Sequence, residues 1–177
     1  MRVNLVEPAK AAGLVFLAAI LQVTIFAQID ILGGYPDVVL LTLMAIALLR
    51  GSIHGAALGF FAGLIVDTAT LGTLGVTSLL LTLAGYWIGR YGETTGRDRG
   101  HAPFVSVAVA TILVQFGALI LHYMLGDAVS ARRVLLEALP PKVLLNLLLT
   151  LPVYALTRRL LALASAPETA TEVRLLG

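Results

Sequence analysis

The chain has 177 residues, of which 59% are hydrophobic and 12% charged, and its formal net charge is +2. Because soluble domains carry about 25% charged residues, this composition excludes an ordinary soluble protein and indicates a membrane protein of one domain. The sequence contains no cysteine, which excludes disulfides, thiol nucleophiles and cysteine metal sites.

Six apolar stretches are candidates for membrane-spanning helices, each of which needs about 20 apolar residues. The first is too long for the apolar core of a signal peptide, so we interpret it as a retained span. We predict an all-α, six-helix transmembrane bundle that forms a single domain over 1–164, and a mobile cytoplasmic tail over 165–177. The predicted spans are 10–29, 37–49, 52–67, 73–90, 103–125 and 141–161.

The second stretch is short for a span. At 1.5 Å per residue, residues 38–49 reach only about 18 Å, whereas the bilayer core is about 30 Å thick. Either Arg50 snorkels and the helix extends past it, or the second and third stretches form a short hairpin surrounded by protein. Pro36 and Asp37 mark the start of this helix, because proline is well tolerated in a first turn.

A series of glycines at every fourth position marks the third stretch. The series is Gly51, Gly55, Gly59 and Gly63, and Asp67 is the next step. Residues four apart lie on nearly the same face of a helix, and small residues let helices approach closely in a bilayer. The stripe predicts a groove for helix packing, or a seam that also positions Asp67 for a partner or a ligand.

Polar residues within the apolar stretches are functional candidates, since burying them in a membrane is costly. Asp67 is the main candidate: it either caps the next helix or contacts a partner. His54 is expected at the membrane interface, and His122 in an aromatic and polar belt. The further candidates are Asn146, Gln115 and Gln22.

No catalytic motif is present in the sequence: G-x-S-x-G, H-E-x-x-H and Walker loops are all missing. Three scattered histidines without cysteine do not predict a metal site. No array of charged residues follows several spans, as an ion-coupled pump would need. We therefore predict a protein that is not an enzyme and has no cofactor, no metal and no nucleic-acid partner.

The distribution of basic residues predicts the orientation. With six crossings and a cytoplasmic N-terminus, nine basic residues lie inside, while Arg132, Arg133 and Lys142 lie outside; these account for all 12. The positive-inside rule therefore predicts cytoplasmic termini and a cytoplasmic loop at 91–102. The outer segment 126–140 is predicted to be a short amphipathic helix, either a connector or a docking surface for an outer partner.

The order of several motifs over about residues 30–95 resembles one protein family. Pro36 and Asp37 precede an aliphatic run, which Arg50, Gly51 and the stretch GFFAGLIVD follow. A Leu-Gly pair ending at Gly75 comes next, and then G-Y-x-x-G-R over residues 85–90. This order is similar to MreD, the rod shape-determining membrane proteins of bacteria.

The resemblance implies a multi-pass scaffold without known catalytic activity in the bacterial inner membrane. MreD belongs to the elongasome, which builds side-wall peptidoglycan, so the implied partners are MreC, the RodA–PBP2 synthase pair and the MreB filament, beside the lipid bilayer. The candidate residues for partner binding or packing are Pro36, Asp37, Gly51, Gly55, Gly59, Gly63, Asp67, Gly75, Arg132 and Arg133.

The resemblance also implies a fold similar to the S-components of ECF vitamin transporters. This similarity supplies the alternative function, a substrate-binding S-component. Such a protein would dock to its coupling protein through small residues on the first span, where Ala9 and Gly13 are four apart.

Overall fold

The computed structural model describes residues 6–29, 33–95, 101–127 and 129–162, and the predicted tail 165–177 lies outside them. A 3-10 turn at Phe26–Gln28 follows the first helix, and a π-helical segment at Arg133–Ala138 precedes the last. The predicted all-α class with six helices is confirmed in these residues. The helices are α1 (Val6–Thr24), α2 (Val38–Arg50), α3 (Ser52–Ala69), α4 (Val76–Thr95), α5 (Ala102–Met124) and α6 (Leu139–Ala162).

Within the described residues, three helical runs are long and apolar enough to cross a membrane. They are α3, α5 and the continuous run Arg133–Ala162, which contains α6. The apolar part of α1, Pro8–Thr24, and the whole of α2 are shorter apolar helices. Together with the composition, these lengths characterise a membrane protein.

The short helix α2 lies at the centre of the bundle. All ten residues from 39 to 48 are buried, so every face of the helix is covered, and it contacts each of the other five helices. Its 13 residues reach only about 20 Å. Because other helices surround α2, it does not need the length of a lipid-exposed span. Protein surrounds the second stretch, as the hairpin interpretation requires, whereas the third stretch, α3, is long and apolar enough to cross a membrane.

Helices α3 and α4 form the closest pair, and three glycines of the stripe lie between them. A Cβ atom added at Gly55, Gly59 or Gly63 would come within 3.0 Å of the α4 backbone, which real Cβ atoms essentially never do. The three glycines therefore allow direct backbone contact between the helices. Gly51 has a different role: its φ of +96° forms the turn between α2 and α3, a conformation that glycine adopts readily.

Helix α4 runs to Thr95, five residues past its predicted end, so the prediction of a loop beginning at residue 91 was wrong. Tertiary contacts hold this extra turn. A Cβ at Gly92 would lie 3.2 Å from Leu48 of α2, and the Glu93 carboxylate accepts a hydrogen bond from the Ser52 backbone N–H (2.8 Å). Because these partners are distant in the sequence, the polarity of residues 91–95 alone predicted a loop instead of a helix.

The segment 126–140 also differs from the prediction of a separate amphipathic helix. Helical structure begins at Ala131 and continues through the π-helix into α6 without a break. Pro140 and Pro141 lack N–H donors, so each removes one backbone hydrogen bond from this helical run, and the wider π-helix lies directly before them. Arg132 and Arg133 are both exposed on this segment.

Candidate functional site

Asp67 caps the start of α4 from the last turn of α3. Its side chain is buried, with 3% exposure, and it accepts hydrogen bonds from the backbone N–H groups of Gly75 (2.8 Å), Thr77 (3.2 Å) and Ser78 (3.4 Å). The first N–H groups of a helix have no partner within the helix. The carboxylate therefore has a capping role inside the chain, reached across the turn that joins the two helices.

The start of α2 is held by a glutamine from α1. The Val38 N–H donates to Oε1 of Gln22 (2.7 Å), and Nε2 of Gln22 donates to the carbonyl of Pro36 (3.1 Å). Both ends of the amide group are thus engaged with the backbone around the helix start. This arrangement accounts for a buried glutamine in an apolar helix, since an unpaired amide there would be costly.

Asp37 and Asn146 complete the cap and connect it to α5 and α6. The Asp37 carboxylate accepts from the Leu40 N–H (3.0 Å), and the Asp37 N–H donates to Oδ1 of Asn146 (2.8 Å). Asn146 is fully buried, and its Nδ2 donates to Oγ1 of Thr111 on α5 (3.0 Å). Four helices therefore meet in one set of hydrogen bonds at the N-terminal end of α2.

Lys142 adds a buried positive charge to this end of the bundle. Its Nζ lies 3.5 Å from Oδ2 of Asp37, donates to Oε1 of Gln115 (3.3 Å), and lies 5.1 Å from the ring centroid of Tyr35. Lys142 is only 9% exposed. Sequence reasoning counted it as a basic residue of an outer segment and missed this role, although its place at the start of an apolar helix was a usable signal.

A cavity of about 390 Å³ opens beside these side chains, and we call it the Asp37 cavity. Its apolar walls come mainly from α4 and α5. The cavity thus combines a largely buried ion pair with apolar walls, as small-molecule sites commonly do. The polar and charged side chains at the cavity include those of Gln22, Tyr35, Asp37, Gln115, His122 and Lys142.

A second space of about 510 Å³ is a groove between α4 and α5, which we call the α4–α5 groove. Its lining is almost entirely apolar and includes the exposed side chains of Leu83, Trp87 and Leu113. Leu80 and Val114 line both the groove and the Asp37 cavity. The two spaces are therefore neighbours that meet at these two residues.

The comparison with known families identifies the chain. The family model described as rod shape-determining protein MreD matches residues 11–163. The chain belongs to the MreD family. The match covers nearly the whole chain, well beyond the motifs at 30–95. No curated protein and no solved structure matches it.

The remaining candidates of this MreD-family chain lie apart from the Asp37 cavity or at its edge. His54 is exposed, and His122 pairs through Nδ1 with Asp127 (2.7 Å) at an exposed position. Ala9 and Gly13 are exposed on α1, and no atom lies within 4 Å of a Cβ added at Gly13. Among the described residues, no group of three His, Asp or Glu side chains could hold a metal ion.

Glu93 lies at the opposite end of the bundle from the Asp37 cavity, beyond the predicted span 73–90. Its carboxylate accepts from both the backbone N–H and the hydroxyl of Ser52, and it pairs with Arg90 at 3.4 Å. The hydrogen bond from the Ser52 backbone N–H, followed by that from its hydroxyl, holds the pKa of Glu93 below its ordinary value. This contact fixes the end of α4 to the start of α3.

Proposed function

We propose that this protein is a non-catalytic scaffold of the elongasome that binds MreC in the bacterial inner membrane. The observation that carries the proposal is the MreD family match over residues 11–163. Through MreC, the protein would connect the MreB filament and the RodA–PBP2 pair to side-wall peptidoglycan synthesis and rod shape.

Most of the candidate residues for partner binding are already engaged in contacts within the chain. Gly55, Gly59 and Gly63 lie against α4, and Asp67 is engaged by three backbone N–H groups. Pro36, Asp37 and Gly75 likewise take part in the caps of α2 and α4. We therefore assign these residues to packing.

We assign partner binding to the exposed pair Arg132 and Arg133 and to the neighbouring Leu136, which is 69% exposed. These residues combine positive charge with apolar surface on one short segment. Charged residues at the edge of an interface contribute to partner choice and association rate.

The proposal is tested by purifying the protein from membranes in mild detergent and measuring how much MreC accompanies it. The double charge reversal Arg132→Glu with Arg133→Glu should lower the recovery of MreC several-fold. The free energy of unfolding should change by less than about 1 kcal/mol, because exposed charges contribute little to stability.

The matched control is the double reversal Arg158→Glu with Arg159→Glu, an exposed arginine pair near the other end of α6. It should leave MreC recovery unchanged. Equal losses in the two double variants would show that the effect is general electrostatics rather than contact at Arg132 and Arg133. If the unaltered protein never recovers MreC, the scaffold proposal is wrong.

The Asp37 cavity is the observation that favours the alternative, a vitamin-binding S-component. This function predicts nanomolar binding of a small vitamin to the purified protein and co-purification with an ATPase module. It also predicts that a bulky residue at Gly13 would disturb the complex, because Ala9 and Gly13 are exposed on α1. A stable complex with ATPases and none with MreC would favour this alternative.

A further inference from the structure

We propose that the protein binds one membrane lipid, with its phosphate head group in the Asp37 cavity and its hydrocarbon chain in the α4–α5 groove. This inference is independent of MreC binding. It depends on two neighbouring spaces of opposite chemistry: a cavity with a buried ammonium group and a groove lined by apolar side chains.

The donors in the Asp37 cavity favour a ligand that carries acceptor oxygens. An ammonium group has three N–H donors and no acceptor. The Lys142 ammonium has long contacts, 3.3 Å to Gln115 and 3.5 Å to Asp37. Within the described ranges, the Gln115 side chain has this one hydrogen bond, as an acceptor, so its NH₂ group keeps both donors.

The nearby Asp37 carboxylate does not exclude an anion from the cavity. One of its oxygens accepts from the Leu40 N–H, and the other faces Lys142. Its charge is therefore directed to the start of α2, where the N-terminal end of the helix carries partial positive charge. A phosphate can take up the donors of Lys142 and Gln115, since lysine is a common phosphate ligand.

The α4–α5 groove fits a hydrocarbon chain. It extends along α4 from Leu80 to Tyr91, a length of about 16 Å on a helix. Leu83, Trp87 and Leu113 are exposed along it, so the groove is open to the surroundings of the bundle. In a bilayer, those surroundings are the lipid tails, which enter an apolar groove without loss of water contacts.

A molecule that occupies both spaces has to pass the side chains at their junction. Leu80 and Val114 line each of them, so the cavity and the groove adjoin at these two side chains. Gly117 lies opposite Leu80, and a Cβ at this position would collide with the Leu80 side chain. The glycine therefore provides space for the Leu80 side chain between α4 and α5, at the junction of the two spaces.

The test uses monododecyl phosphate as the probe on the full-length protein in detergent, with native mass spectrometry and thermal stability as readouts. We expect one bound probe per protein and a raised melting temperature. Inorganic phosphate, which lacks the chain, and dodecanol, which lacks the phosphate, should each bind at least tenfold more weakly.

Two variants test the two parts of the site. Leu113→Trp should fill the groove and weaken the probe at least tenfold, whereas Leu148→Trp, at an exposed leucine of α6 outside the groove, should not. Lys142→Gln should weaken the probe to the level of dodecanol. Because loss of Lys142 leaves Asp37 unpaired and can prevent folding, Gln115→Leu serves as the second variant for the head group, with the same expectation.

Several results would overturn the proposal. The proposal is wrong if monododecyl phosphate binds no more tightly than dodecanol. It is also wrong if Leu113→Trp and Leu148→Trp weaken binding of the probe equally. Inorganic phosphate that binds as tightly as the probe would indicate a site for a free anion rather than a lipid. Extraction of the purified protein should yield about one phosphate-bearing lipid per chain, and recovery of only neutral lipid would contradict the head-group assignment.

Discussion

At the N-terminus of α2, side chains from other helices replace the water that would otherwise solvate the first backbone N–H groups. The Gln22 side chain accepts a hydrogen bond from the Val38 N–H, and the Asn146 side chain accepts one from the Asp37 N–H. In a membrane interior such groups must be satisfied by protein, because no water is available. This requirement explains why polar residues that are rare in apolar helices occur opposite the start of a short central helix.

Asp67 gives a prediction at the scale of one residue. Asp67→Ala removes the acceptor for three backbone N–H groups at the start of α4, and we expect it to lower the free energy of unfolding by about 1–3 kcal/mol. The measurement is reversible unfolding in mixed micelles. Thr68→Ala is the control, since the exposed Thr68 hydroxyl donates to the Leu64 carbonyl of its own helix.

A small effect of Asp67→Ala on stability would favour the other role that the sequence predicts for Asp67, which is contact with a partner. If Asp67→Ala unfolds like Thr68→Ala but loses MreC, the carboxylate acts in a partner contact rather than as a cap.

The sequence identified polar residues within the apolar helices, but it did not predict their hydrogen-bond partners. Gln22, Gln115 and Asn146 were all recognisable as polar groups in apolar helices. Their partners were not recognisable, because Asp37 and Asn146 are 109 positions apart and only the packing of α2 against α6 brings them together. Lys142 was missed because a lysine near a span end is usually solvated.

At the scale of helices, the apolar stretches predicted the existence and approximate bounds of the six helices described, and the glycine spacing predicted a helix face with room for close packing. The structure adds that this face packs on α4 of the same chain. The central place of α2 could not be read from its composition, because a helix that is apolar on every face looks the same in lipid as in a protein core.

The α3–α4 pair gives a prediction at this scale. Gly59→Leu or Gly63→Leu places a side chain where the α4 backbone lies, so the helices must separate. We expect the free energy of unfolding to fall by about 3 kcal/mol or more, which is at or above the usual cost of overpacking a core. The cost is high because the α4 backbone cannot move aside as a side chain can. Thermal unfolding in detergent measures it.

Gly13→Leu on α1 is the matched control for these variants. No atom lies within 4 Å of a Cβ added at Gly13, so a leucine there should be tolerated. If Gly59→Leu is as stable as Gly13→Leu, α3 and α4 do not pack through their glycines.

At the scale of the whole molecule, the described part of the chain is almost entirely helix, and its two ends differ in chemistry. One end has the Asp37 cavity and the exposed pair Arg132 and Arg133; the other has the Ser52–Glu93 contact. The proposed partner surface and the proposed lipid head-group site are therefore at the same end. The orientation of the bundle decides which side of the membrane both of them face.

The basic residues predict that the Asp37 end faces outward, with both chain termini in the cytoplasm. The chain has no cysteine, so single cysteines introduced at Ser130 and at Ser165, which lies outside the described residues, report each side separately. In intact cells an impermeant thiol reagent should label position 130 and leave position 165 unlabelled until the membrane is opened. Labelling at 165 in intact cells would contradict a cytoplasmic C-terminus and would place Arg158 and Arg159 outside. If position 130 is labelled only after lysis, the Asp37 end faces the cytoplasm, and the proposed MreC contact lies on that side.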